Sequence, residues 1–423
     1  MQSLIAYATL FMTVGIAVGR PRFGKEWQAG PASAALLATT ILLTARVVDP
    51  ADIIHSLQLH WRPFLMIIAT MILSAVAERI GVLERLAEMI FSDPKTTPSR
   101  LFGQVFLMCA LTSTIFNNDA MIILITPLVL GLVKKRYHGH KRLLAPFAFV
   151  VFMAIGVAPF YISNPMNMIV AEFAHVNFNQ YASWMIPVAL GGWAVTYPIV
   201  WLYFRKDLEE PIHTERAVAE EGEGLLPAQK AMLGLLALIV IGYPTVAYFD
   251  GPSIWIVAVI GATLAILLST RWGKVDMRDL MFRTVAWDIF VFLLGVYVIA
   301  IALRNVGFTD LLASIYQDAN LFVIGGVAAV GSALVNNHPM SLINLMALEA
   351  LPDAGRKEIF ASLIGGDLGP RLLPIGSLAG LLWLNGCKRM GLKVSLRTFV
   401  TLGLLVTVPA MGVSLVILLL RGS

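Results

Sequence analysis

Gly365-Gly366-Asp367-Leu368-Gly369-Pro370-Arg371-Leu372-Leu373-Pro374-Ile375-Gly376-Ser377 interrupts an apolar run that reaches from about residue 358 to 385. Glycines, two prolines, an aspartate and an arginine set this close cannot form an unbroken helix facing lipid. Hydrocarbon offers no hydrogen bonds, so irregular backbone at that depth persists only where it is buried in protein or lines a cavity. Three other apolar runs carry comparable breaks. Segments 101–133 and 320–350 are each split by paired asparagines (Asn117-Asn118, Asn336-Asn337), and 143–173 is split by Ser163-Asn164-Pro165-Met166-Asn167. These four breaks are where function is expected.

The rest of the chain explains why lipid is the relevant solvent. Of its 423 residues, 58% are hydrophobic and 13% charged, against roughly 45–50% and about 25% in a soluble domain. Unbroken spans are expected near 3–18, 29–48, 61–77, 183–204, 231–249, 252–269, 284–303 and 397–420. The net charge of +5 belongs to topology rather than to nucleic acid, because membrane proteins gather Lys and Arg on the cytoplasmic side. If 101–133 and 320–350 are hairpins that enter and leave on one side, 24 of the 31 Lys and Arg fall on the cytoplasmic face and 6 outside, with Arg371 left in the membrane. That bias places the N-terminus outside. Cys109 and Cys387 are far apart, with no metal-ligand spacing around them, and no cofactor is expected.

This threading contains a repeat. Trp61 to Glu84 lies on Trp287 to Asp310 at an offset of 226, bringing Gly81 onto Gly307. In each half an amphipathic stretch, a hairpin with Asn-Asn at its tip, a broken crossing and a closing span then follow. The first copy starts outside and the second inside. The expected fold is therefore all-α and polytopic, with two inverted-topology repeats, each holding a re-entrant hairpin and a broken transmembrane helix. Its parts are N-terminal helices (1–60), a first repeat (61–205), a cytoplasmic linker (206–230), connecting helices (231–283) and a second repeat (284–423). Inverted halves with paired broken segments point to a secondary transporter with its site at the repeat interface.

The candidate residues sit at the breaks. Asn117, Asn118, Asn336 and Asn337 can cap helices or face a polar ligand. Asp119 is a carboxylate at a costly depth, either a coupling group or a structural cap, and His338 stands in its place in the second half. Asp367 and Arg371, four residues apart, either form a structural ion pair or act as a proton carrier tuned by a cation. Asn164 offers an amide without charge, whereas Glu172, near the outer interface, is a weaker candidate.

The strings Asn118-Asp119, Asn336-Asn337-x-Pro339, and above all Gly366-Asp367-Leu368-Gly369-Pro370 with Pro374-Ile375-Gly376-Ser377-Leu378-Ala379, resemble those of the bacterial ArsB arsenite efflux permeases of the ion transporter superfamily. The resemblance runs along nearly the whole chain, and departs from the family pattern at Asn117 and His338. It implies export of arsenite and antimonite as neutral hydroxides in exchange for protons, sometimes with a cytosolic ArsA-type ATPase as partner. By position it puts Asn118, Asp119, Asn337, Asp367, Gly376 and Ser377 in the substrate and coupling region. The full expectation assigns Asn117, Asn118, Asn164, Asn336, Asn337, Gly376 and Ser377 to substrate, and Asp119, Asp367, Arg371 and His338 to proton coupling. The main rival is a sodium/proton antiporter of the same superfamily. Dicarboxylate carriers fit less well, since Asp119 would repel their substrate. A channel has no need of inverted halves, and no nucleophile and base pair suggests an enzyme.

Overall fold

The computed structural model describes residues 1–421 except 24–26, 94, 117, 138–139, 210–223, 250–253, 273–274 and 286, and omits the side chains of 18, 22–23, 27, 56, 59–60, 119–120 and 289. Most of the expected linker at 206–230 thus lies outside the described residues. Two helices, α1 (Gln2–Gly19) and α2 (Pro31–Thr44), come first, joined through a two-residue β ladder, Arg22–Phe23 on Trp27–Gln28. The first half is α3 (Pro50–Ile80), α4 (Val82–Phe91), α5 (Pro98–Thr112), α6 (Asn118–Arg136), α7 (Leu144–Ala154), α8 (Pro165–Phe173) and α9 (Phe178–Glu209). Next come α10 (Pro227–Tyr248), α11 (Ile254–Arg271) and the single turn α12 (Met277–Asp279). The second half is α13 (Trp287–Asn305), α14 (Phe308–Tyr316), α15 (Leu321–Val335), α16 (Asn337–Glu349), α17 (Arg356–Leu368), α18 (Leu378–Arg389) and α19 (Leu396–Leu420).

Among the described residues, five helices are long and apolar enough to cross a bilayer: α3 from Trp61 onward, α9, α10, α11 and α19. The α13–α14 pair passes the same test together, bent by 78° at its break. The span expected at 29–48 is shorter than anticipated. Its helix α2 has 14 residues, about 21 Å at 1.5 Å per residue, because Arg46 turns the chain with φ 54°. Asp49 then caps α3, accepting from the Ala51 N–H at 2.8 Å ahead of Pro50.

The two halves match element for element, α3 to α9 against α13 to α19. The offset of 226 residues is reproduced at the bends: Gly81 has φ 75° and Gly307 φ 81°. A left-handed backbone there ends one helix and starts the next at a new angle, a conformation that costs glycine little. The packing between halves is reciprocal. Helix α6 packs on α18 and α16 on α8, α7 touches α18 and α17 touches α8, while α3 meets α13 and α9 meets α19. Exchanging the halves maps this set onto itself, as a pseudo-two-fold axis requires.

Small residues let the second hairpin approach its broken helix closely, a common device where lipid supplies no hydrophobic drive between helices. A Cβ at Gly365 would overlap the Gly325 carbonyl oxygen, and one at Gly369 the Ala329 carbonyl oxygen. We therefore expect Gly365→Ala to destabilise the protein by about 2 kcal/mol through overpacking. Gly326→Ala, where a Cβ meets nothing within 4 Å, should be neutral or slightly stabilising. Denaturant unfolding in micelles would compare the two, and equal midpoints would refute the close approach.

The first hairpin is tied down at its base. Buried Arg136, in the last turn of α6, donates to the carbonyls of Phe91 (2.6 Å), Asp93 (2.7 Å) and Thr96 (2.8 Å). In the same loop, the Thr96 hydroxyl and then the Lys95 N–H donate to the Asp93 carboxylate and hold its pKa below the ordinary value.

Candidate transport site

The four breaks predicted from sequence meet at one place. Asn118 opens α6, Asn164 precedes α8, Asn337 opens α16 and Ser377 precedes α18. Together with Asp367, Arg371, Ile122, Phe152, Ile155, Gly156, Pro165, Pro370 and Ala379 they line a cavity of about 50 Å³. A single water needs about 10–15 Å³ of such space, so there is room for a solute of a few non-hydrogen atoms. Four helix N-termini converge on this volume, and each carries unpaired N–H groups and a partial positive charge. Asn164 caps α8, its Oδ1 accepting from the Met166 N–H at 3.1 Å, and the Ser377 hydroxyl caps α18, accepting from the Gly380 N–H at 2.9 Å.

The carboxylate that balances these N-termini is Asp367. It accepts from Asn164 Nδ2 and from Asn167 Nδ2, each at 3.1 Å. Arg371 is not its ion-pair partner. Its guanidinium donates to the carbonyls of Met153 (2.6 Å) and Ile155 (3.0 Å) and to the Thr196 hydroxyl (3.4 Å). The structural ion pair considered from the spacing is thus absent. The i,i+4 argument needs a continuous helix, but α17 ends at Leu368 and Gly369–Arg371 is a 3-10 turn. That turn sends the cation to the carbonyl end of α7, the negative pole of a half-helix. Gly156 makes the room, since a Cβ there would sit 2.5 Å from Arg371 Nη2.

Three buried polar atoms around the cavity have no partner among the described residues: Asn118 Oδ1, Asn337 Oδ1 and Arg371 Nε. Asn118 and Asn337 occupy equivalent places in the two halves, so two acceptors are offered to a ligand from opposite sides.

Other expected residues stand apart from the cavity lining. Asn336 takes φ 92° and caps α16, its Oδ1 accepting from the His338 N–H at 3.3 Å. His338 is buried and faces Phe292, ring centroids 6.2 Å apart, with Nδ1 3.3 Å from Asn336 Oδ1. Gly376 packs against Pro370, Ala333 and Ser332. Asn117 lies outside the described residues. Asp119 is the second residue of α6, and its side chain lies outside the description. Glu172 borders a separate pocket of about 270 Å³, with Arg62, Tyr161 and Trp255. Both cysteines are buried and unbonded.

Sequence reasoning named Asn167 within the 163–167 break without giving it a role, and passed over Tyr181, Thr196 and Gly156. Asn167 had a visible signal: it lies three residues after Asn164, nearly one helical turn, in a helix whose other polar residue is Glu172 near its far end. The others are ordinary residues of a membrane span, given their roles by what packs against them.

Two inverted halves, each with a hairpin and a broken helix, closing four helix N-termini around a small polar cavity, define a multi-pass membrane transport protein. The model of the arsenical pump membrane protein family, ArsB, matches residues 9–421, and the chain belongs to that family. The arsenical pump membrane protein of Escherichia coli (strain K12) is 27% identical, covering 99% of each chain. The putative arsenical pump membrane protein of Bacillus subtilis (strain 168) is 30% identical over 78% of this chain and 80% of its own length. The solved Alcanivorax borkumensis YdaH transporter, described as having an unusual topology, shares the fold with a TM-score of 0.56 at 15% identity, covering 99% of this chain and 97% of that one.

Proposed function

We propose that this protein exports arsenite, and antimonite as its analogue, from the cytoplasm in exchange for protons. The observation that carries the reading is the cavity: four helix N-termini and two unpaired amide oxygens surround one carboxylate in about 50 Å³. Trivalent arsenic is an uncharged trihydroxide at neutral pH, with three O–H donors and lone pairs on each oxygen. Asn118 Oδ1, Asn337 Oδ1 and the Asp367 carboxylate accept from the hydroxyls, while backbone N–H groups at the helix starts donate to the oxygens. Buried thiols take no part, so the bound hydroxide stays releasable.

Exchange follows from one shared acceptor. The Asp367 carboxylate binds either a proton or a substrate O–H; occupancy by one weakens the other, and linkage makes the effect mutual. Asp119 is a second candidate carrier and His338 a third, set back from the cavity. Arg371 acts as a fixed charge holding the broken segment on α7. The units that move are the hairpins and broken helices, working against the remaining spans.

Everted membrane vesicles with an imposed proton gradient test the reading. Arsenite uptake should rise with the gradient and collapse when it is dissipated, and sodium should neither drive uptake nor move by itself. Sodium movement without arsenite movement would replace this reading with the sodium/proton antiporter.

A further inference from the structure

Asp367 is held by two asparagines that differ in one respect. The Oδ1 of Asn164 is already engaged in capping α8, so that amide cannot turn without breaking its cap. The Oδ1 of Asn167 is buried with no partner among the described residues, in a residue with no exposed surface. Its Nδ2 faces both Asp367 Oδ2 and Tyr181 Oη, each at 3.1 Å. Tyr181 is equally buried, and its hydroxyl donates to the Ala158 carbonyl at 3.4 Å, longer than usual.

This geometry serves an ionised Asp367, which needs donors. A protonated Asp367 needs an acceptor for its new O–H, and the Asn164 amide cannot supply one. Turning the Asn167 amide by half a revolution brings Oδ1 to Asp367, while the Tyr181 O–H leaves Ala158 and donates to the same oxygen. Both partners of Asn167 remain satisfied, because a tyrosine hydroxyl both donates and accepts and an asparagine carries a donor end and an acceptor end. We propose that Asn167 is a two-state positioning residue that reads the protonation of Asp367 and passes it to Tyr181 and the α7–α8 break. This rests on Asp367 as proton carrier. The proton itself goes from the medium to an Asp367 oxygen, and no bond of Asn167 forms or breaks.

Few titratable groups surround the pair. Arg371 shares the broken segment but is bound to α7 carbonyls. Tyr181 comes from α9, with Tyr161 edge-on behind it at 5.2 Å. His338 on α16 faces Phe292, and Glu172 on α8 borders the separate pocket with Arg62.

Infrared difference spectroscopy between low and high pH, on the full-length protein in liposomes with isotope-labelled asparagine, tests this. A protonated-carboxyl C=O band that disappears in Asp367→Asn should rise together with a shift of one asparagine amide C=O band. That shift should be lost in Asn167→Leu, along with roughly tenfold of proton-driven arsenite uptake, the scale of one charge-assisted hydrogen bond. Should Asn167→Leu fail to fold, Tyr181→Phe, which removes the donor to the turned amide, should shrink the same shift. A carboxyl band with no moving asparagine band, or a shift unchanged in Tyr181→Phe, overturns the switch while leaving Asp367 as carrier. Absence of any Asp367-dependent carboxyl band removes the carrier and the switch together.

Discussion

Asp367→Asn is expected to abolish proton-driven arsenite transport, lowering uptake into everted vesicles by about a hundredfold while leaving the protein folded and in the membrane. The substitution keeps shape and removes charge, so packing around the 3-10 turn is preserved. What changes is the pairing. Asn164 Nδ2 can still donate to the carbonyl of the new amide, but Asn167 then faces its amino group and must turn Oδ1 towards it, so neither amide donates to a charge any longer. Loss of two hydrogen bonds to a charged acceptor, at about 1.5 kcal/mol each, corresponds to a factor of about a hundred. More important, an amide takes up no proton in the physiological range, so the substrate no longer competes with one. Any residual arsenite movement should be a downhill leak insensitive to the gradient. Retention of gradient-driven uptake would transfer the carrier role to Asp119 or His338. Asp367→Glu separates charge from position: it restores an ionisable group but pushes it about one methylene further into a cavity of about 50 Å³, so it should recover coupling only in part.

The architecture was legible because each break is expensive in lipid. A run such as Gly365 to Ser377 has no stable form in hydrocarbon except a sheltered one, so its presence predicts both the cavity and the elements that shelter it. Gly81 and Gly307 were legible through their register, and each bends the chain with a left-handed backbone. The asparagine pairs were legible as pairs but not as individuals. Asn336 serves the helix as its cap, and Asn337 turns to the cavity with a free oxygen. A shift of one residue at a helix start decides which is which, and composition does not encode it.

Other features left no trace in the order of residues. Asn167 meets Asp367 across 200 positions, through the reciprocal packing of α8 and α17. The acceptors for Arg371 are backbone carbonyls, which every residue has, exposed here because α7 stops at Ala154. Spacing alone favoured Asp367 as its partner. Only the direction of the Gly369–Arg371 turn shows otherwise.

That difference has a thermodynamic consequence. Arg371→Met should destabilise the protein by about 4 kcal/mol, the range for removing one member of a buried charged network, and should eliminate transport. The methionine fills the volume but leaves the Met153 and Ile155 carbonyls without donors. Arg371→Lys should recover less than half, because one ammonium cannot reproduce a planar fork that reaches two carbonyls and the Thr196 hydroxyl. The decisive variant is Asp367→Asn combined with Arg371→Met. If the two residues were an ion pair, removing both charges would relieve most of the penalty of removing one, and a double-mutant cycle would show coupling of about 3 kcal/mol. Each charge has its own neutral partners instead, the amides of Asn164 and Asn167 for Asp367 and the α7 carbonyls for Arg371. Deleting one strands no hydrogen-bond partner of the other, so what couples them is the through-space attraction of two buried opposite charges, and the coupling should be about 1 kcal/mol, well below that of a contacting pair. Denaturant unfolding of the four proteins in micelles measures it. Strong coupling would mean that the guanidinium and the carboxylate meet in the protein, and that substrate release is governed by an ion pair rather than by one carboxylate shared between arsenite and a proton.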